Sequence, residues 1–426
     1  MKKILSCLSL LTTIFVAPSA LAQTDMRDAP FYDVQERVNE GLPPFIQTSR
    51  DHSEIMFDRQ DHVTDKAAQQ LFMRQDGTLE SNKFYIGGRF NGTIIGERTN
   101  TDGKFPILSR LPPTHTSGNS DIFSMVNDAS ISGTLTLPWV LAYAQGEYTE
   151  LAYKGQSPRD WRKYFVTIGD LNKFPAYLTI GKKTVSFGNM DSYAPFTHGH
   201  NSHYFWSQNG DSPIFELGYL DHGWHVTATA IKADRGKRVI NAPADENGYS
   251  NFATSITKKF TIGDLHRFKL GAGFLRGTIY DGALAHHPPV IGSPDRYWNS
   301  AYNINGVYSI GSFDFLGEFT RTTEKWDAVD ANVHALNIQG RYRDYIWKFP
   351  TTYSAMYSQG FQGNSDDEWQ RMDQFVAGLE MKLHPNVTFG AEYLFNSGFV
   401  PLIMPTIVAD DGVVSHSGQV GVKITF

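Results

Sequence analysis

The sequence predicts an all-β fold, a transmembrane up-and-down antiparallel β-barrel of about sixteen strands with a short N-terminal periplasmic segment. Three observations carry that expectation. Apolar residues recur with period two in segments along most of the chain, the mark of strands with one oily and one polar face. Short turns alternate with long polar loops, as in barrels whose turns face the periplasm and whose loops face outward. A secretory signal opens the chain, yet no later stretch is long and apolar enough to cross a bilayer as a helix.

The first element is that signal. Lys2 and Lys3 form a basic start, Ile4 to Ala17 is an apolar stretch, and Ala20-Leu21-Ala22 before Gln23 is a small-x-small cleavage site. Removing residues 1–22 leaves 426 − 22 = 404 residues and takes away Cys7, the single cysteine, so no disulfide is expected. Loss of the two lysines moves the formal charge from −6 to −6 − 2 = −8. With 19% charged residues of nearly balanced sign, no nucleic-acid partner is implied. The mean hydropathy of −0.34 fits a barrel, because half of every spanning strand is hydrophilic.

Residues 23–82 do not alternate and read as a periplasmic leader or a small plug. Val34 to Val38 and Lys66 to Met73 are helix candidates separated by the breaker Gly41-Leu42-Pro43-Pro44. Residues 83–426 read as the barrel. Phe84, Ile86, Phe90 and Ile94 oppose Tyr85, Arg89, Asn91 and Thr93, and Ala129, Ile131, Gly133 and Leu135 alternate with Ser130, Ser132, Thr134 and Thr136. Strands are expected to begin near Phe84, Ala129, Val140, Tyr164, Pro175, Pro213, Trp224, Asn251, Arg267, Tyr302, Ser312, Val333, Trp347, Met372, Asn386 and Val414. Turns are expected at Pro138-Trp139, Arg343-Asp344-Tyr345 and His384-Pro385-Asn386 among others, and Tyr148, Trp224, Tyr302, Trp347 and Tyr393 are placed in interfacial girdles. In the last strand Val420, Val422, Ile424 and Phe426 share a face, and the terminal Phe426 resembles the assembly signal that barrel-assembly machinery reads.

No catalytic constellation stands out: Gly-x-Ser-x-Gly and His-Glu-x-x-His are absent, and an enzyme is not expected. Alternation points Arg89, Lys183, Lys269, Lys348, Lys382 and Lys423 inward, facing Glu147, Glu216, Asp314, Glu318, Glu380 and Glu392; with Tyr193, these are candidates for lining a pore, where charge selects among solutes. The long loop Phe187 to Asp211 carries His198, His200 and His203, three imidazoles that could hold a metal or a metal-bearing ligand, against the plainer reading of a polar loop folded on the wall. No cofactor is implied.

The hairpin Val166-Thr167-Ile168-Gly169-Asp170-Leu171-Asn172-Lys173-Phe174-Pro175, continuing through Tyr177, Ile180-Gly181-Lys182-Lys183 and Val185-Ser186-Phe187-Gly188 to Asp191-Ser192-Tyr193, resembles the siderophore-porin family typified by the legiobactin receptor of Legionella. The sequence departs from that family in having no heptad-bearing coiled coil after the signal. The resemblance implies passive uptake of a ferric siderophore across the Gram-negative outer membrane. The residues alone leave a general diffusion porin, or a structural or adhesin barrel, as the alternatives, and oligomeric state is not legible in them.

Overall fold

In the computed structural model, residues 42–105, 118–150, 157–197, 199–206, 213–233, 248–278, 280, 298–326, 329–365, 367, 370–399 and 412–426 are described. The proposed signal, the helix candidate Val34 to Val38 and His198 lie outside them.

Sixteen strands form one closed antiparallel barrel: β2 (Lys83–Thr99), β3 (Ser120–Thr136), β4 (Val140–Tyr148), β5 (Arg159–Gly169), β6 (Ala176–Lys182), β7 (Ile214–Asp221), β8 (Trp224–Ala233), β9 (Gly248–Ile262), β10 (His266–Leu275), β11 (Ala301–Ile310), β12 (Phe313–Thr322), β13 (His334–Ile346), β14 (Phe349–Phe361), β15 (Met372–His384), β16 (Val387–Gly398) and β17 (Val414–Thr425). Each pairs with its sequence neighbours, and β17 closes on β2 from Ser415↔Thr99 to Thr425↔Arg89. The alternation has the expected sense. Ile94 and Ile131 are 56% and 63% exposed on the outside, while Asn91, Thr134 and Thr136 are fully buried inside. Lipid demands an apolar exterior, and a closed ladder satisfies every backbone group without water. Trp224, Trp347 and Tyr393 are exposed, as girdle residues must be, together with Trp139 and Trp161.

Two strands begin earlier than their alternation suggests, and each has a bulge at the place where the pattern fails. In β3 the register shifts opposite Asn91/Gly92, so that Asn127 and Asp128 are both buried in succession. In β5 it shifts opposite Gln145/Gly146, skipping Arg162. An extra residue reverses the in/out sense of everything beyond it. One expected turn is misplaced. Arg343, Asp344 and Tyr345 lie inside β13, and the chain reverses at Trp347-Lys348, where Trp347 takes φ +54°. Lys348 is therefore in an exposed turn, its Nζ 5.5 Å from the Phe349 ring centre, and not in the lumen.

Below the seam, the β17–β2 pairing ends at Thr425↔Arg89, six residues above the foot of β2 at Lys83. A three-residue strand, β1 (Ile46–Thr48), takes over the open edge in parallel, with Ile46↔Phe84 and Thr48↔Ile86. The Phe426 ring lies against Gly88, with main-chain hydrogen bonds of 3.0 Å in both directions; a Cβ at Gly88 would run into that ring. After β1 come helices α1 (Arg50–Phe57) and α2 (Lys66–Gln75). Ser49 caps α1 by accepting from the His52 N–H.

Candidate functional site: the filled lumen

The barrel interior is occupied from both ends. From the short-turn end, residues 49–79 form a plug. From the long-loop end, Lys183 to Thr197 folds inward and is buried throughout, and the short helix α3 (Asn201–Trp206) follows.

The plug has two unlike flanks. Toward β2–β6 it packs by apolar contact: Met56 and Ala67 with Tyr143 and Phe165, Leu71 with Leu141 and Tyr177, Met73 and Leu79 with Tyr85. Arg74 adds hydrogen bonds to the Leu137 and Gly169 carbonyls at two short turns. Toward β10–β17 it is held by charge. Glu54 meets Lys382 at 2.8 Å, Asp61 meets Arg341 at 2.6 Å, and Asp65 meets Lys269 at 3.6 Å. Burial pushes the Asp65 carboxyl up, but Lys269 and His225 outweigh it and hold Asp65 well below the ordinary carboxylate range. Gln60 bridges to Glu380 at 2.7 Å, and Glu380 is paired with Lys423 at 2.5 Å.

The inward loop is gripped by wall side chains whose polar atoms take up its backbone. Glu318 accepts the Asn189 and Met190 N–H groups at 2.8 and 3.3 Å, and Glu392 accepts those of Phe196 and Thr197 at 2.8 and 3.0 Å. Gln339 accepts the Tyr193 N–H at 2.6 Å and donates to the Asp191 carbonyl at 2.7 Å. A loop without a ladder must satisfy its backbone somewhere, and here the wall supplies the acceptors. His200 is buried with both ring nitrogens engaged: Nε2 meets the Asp191 carbonyl at 3.1 Å and Nδ1 accepts the His203 N–H at 3.3 Å. That pattern suits a neutral ring, and burial pulls its pKa down to about 3.

Plug and loop meet near the middle. The Val63 N–H donates to Asp191 Oδ1 at 3.0 Å, the Ser192 N–H to the Gln60 carbonyl at 3.0 Å, and Gln60 Nε2 to the Ala194 carbonyl at 3.2 Å. Burial, with Asp61 nearby, pushes the Asp191 carboxyl up to about 7 in spite of Lys269. Above this junction Val185, Phe187 and Met190 join an apolar cluster with Ile214, Ile231, Trp326, Met372 and Phe399.

Apart from Lys348, the charged candidates singled out in the sequence lie inside, and each is engaged. Arg89 pairs with Asp128 at 3.2 Å, Glu147 with Arg59 of the plug at 2.5 Å, and Lys183 with Glu216 at 2.7 Å. Glu318 anchors the loop, Tyr193 lies under the Arg341 guanidinium at 4.0 Å, and Glu380 and Lys382 hold the plug. His200 and His203 sit close, with ring centres 6.2 Å apart, but among the described residues no group of three or more His, Cys, Asp or Glu is arranged to hold a metal. Gln60, Asp61, Asp191, Gln339 and Arg341 were not singled out in the sequence. For Gln339 and Arg341 the signal existed, since both occupy inward positions of an alternating strand.

A closed sixteen-strand antiparallel barrel with an apolar belt and a polar interior defines an outer-membrane β-barrel of porin architecture. No family model matches the chain. Similar solved structures include an anion-selective porin from Comamonas acidovorans (10% identity, 81% of this chain and 99% of that one, TM-score 0.54) and OmpF of Salmonella typhi (12%, 81% and 98%, 0.53). The channel DcaP of Acinetobacter baumannii is also similar (10%, 80% and 97%, 0.51). At such identities the likeness concerns the fold. A UPF0422 protein of Coxiella burnetii is 23% identical over 198 residues, 46% of this chain; the match spans 41% of that relative's length.

Proposed function

We propose that this protein is a gated outer-membrane channel for small solutes, closed in the conformation described, with ferric siderophores as its specialised cargo. The observation that carries the gating is the plug's charged flank. Ion pairs and hydrogen bonds to Lys382, Arg341 and Lys269 can be exchanged for water or solute, whereas a permanent filling would be expected to pack apolar surface all round. The siderophore cargo is supported by the resemblance of the Val166 to Tyr193 hairpin. Its surroundings on this reading are outer-membrane lipid and the assembly machinery that reads the strand ending in Phe426.

Planar-bilayer recording of the full chain tests the gate. The wild type should conduct little, and 2 M urea or strong voltage should open it reversibly. A barrel that never conducts under these conditions would sink the channel reading. Growth of a deletion strain on ferric siderophore, set against its permeability to unrelated sugars, tests the cargo: equal loss of both points to a general porin.

A further inference from the structure

The contacts of the plug differ in sign as well as in kind. On the flank facing β10–β17 the plug supplies the anions (Glu54, Asp61, Asp65) and the wall supplies the cations (Lys382, Arg341, Lys269). On the flank facing β4 the order is reversed, with Arg59 of the plug on Glu147 of the wall. Three of the apolar clusters that include plug residues lie toward β2–β6, and on the other side only Val63 enters one, the cluster it shares with the inward loop and β7–β15. From these facts, and resting on the channel reading above, we propose that the solute path opens along the β10–β17 wall, that it takes small anionic solutes, and that the plug carboxylates occupy their sites in the closed state.

The charge count supports the anion. The inward residues on this wall that pair with the plug or with one another are Lys269, Arg341, Arg343, Lys382 and Lys423 against Asp314 and Glu380. With the plug carboxylates gone the sum over these residues is +5 − 2 = +3, and counting Glu318 and Glu392, inward on the same wall but committed to the loop amides, makes it +5 − 4 = +1. Asp314 remains shared by Arg341 and Arg343 at 2.7 and 2.5 Å, and Glu380 by Lys423, so the three cations that lose a carboxylate are those the plug had covered. A row of cations in a narrow lumen bordered by low-dielectric wall attracts anions and repels cations. The Arg341 guanidinium offers planar two-point binding to a carboxylate or phosphate, while Lys269 and Lys382 act as point charges on either side. Lys382 and Glu54 are each about one-third exposed, so this pair is where an incoming anion first competes with the plug.

The test uses the full-length variant Glu54→Gln/Asp61→Asn/Asp65→Asn, in which the three side chains keep their size. It should conduct in planar bilayers, and its reversal potential in a KCl gradient should report chloride preferred over potassium by several-fold. Adding Lys269→Gln and Lys382→Gln should reduce that preference toward unity. An open state that prefers potassium, or a preference untouched by the two lysine changes, overturns the anion path while leaving a channel. A correctly folded triple variant, shown by an unchanged heat-dependent gel shift, that fails to conduct overturns the channel reading and this proposal with it. A second measurement uses the wild type. Inorganic pyrophosphate should speed hydrogen exchange of residues 50–65 several-fold more than NaCl of equal ionic strength, while exchange in α2 stays slow; exchange that does not respond to pyrophosphate beyond the salt control overturns the shared-site claim.

Discussion

The two flanks of the plug are joined to the same barrel by different physics. Against β2–β6, Leu71, Leu141 and Tyr177 exclude water from one another, an attraction that salt does not weaken. Against β10–β17, Glu54–Lys382 and its neighbours are ionic and partly wet, so ions and competing charges act on them directly. On the gated reading proposed above, the first side stays and the second lets go. Nothing in the plug's own sequence distinguishes the two, because the difference lies in which strand each residue meets.

The largest effect should come from the staying side. Leu71→Ala removes a fully buried side chain from the apolar cluster and should cost about 2–5 kcal/mol of plug docking. Hydrogen exchange in both helices should then rise together, and the channel should leak. If α1 loosens while α2 stays protected, the division between flanks is wrong. A smaller effect is expected at the loop. Glu392→Gln weakens the grip on the Phe196 and Thr197 amides, where hydrogen bonds to a charged acceptor contribute roughly 1.5–3 kcal/mol. Exchange at those two amides should accelerate, and through the Asp191–Val63 hydrogen bond the Val63 amide should follow. A Val63 amide that does not respond would separate loop from plug.

The mildest test is acid. Burial holds His52 in α1 down to about 4, below its ordinary 6.5, so the docked helix resists a proton that the released one accepts. Its contribution to docking is complete above about pH 6.5 and is lost as pH falls toward 4, about tenfold per pH unit. His52→Gln should remove that increment of acid sensitivity between pH 6.5 and 4.5. Identical pH profiles for exchange at α1 in the two proteins would show that His52 is not sealed as described.

The wall was readable in the sequence because lipid imposes its rule one residue at a time. Where the rule lapsed, at Asn127 in β3 and Arg162 in β5, an inserted residue had broken the period, and nothing local announces a bulge. Helix α2 was visible from Lys66 onward, whereas α1 has few apolar positions and is stabilised by partners such as Thr134 and Lys382 far along the chain. The charges the alternation points inward lie in the lumen apart from Lys348, but their pairing was not legible, since Asp61 with Arg341 joins residues 280 positions apart. His200 shows the limit most sharply. Three histidines in a polar loop suggest coordination, while in the fold the ring of His200 is used up by the Asp191 carbonyl and the His203 amide.

Strand β1 has a mechanical consequence. It runs parallel to β2, entering from the short-turn end, and is tied at its start by the Phe84 N–H to the Phe45 carbonyl at 2.8 Å and by Lys83 Nζ to the Pro44 carbonyl at 2.8 Å. Tension applied at residue 42 along the strand axis would load this short ladder in shear, with its bonds sharing the force, before any of it reached α1. A pull on residue 42 is thus borne by the β1–β2 ladder before it reaches the contacts of α1.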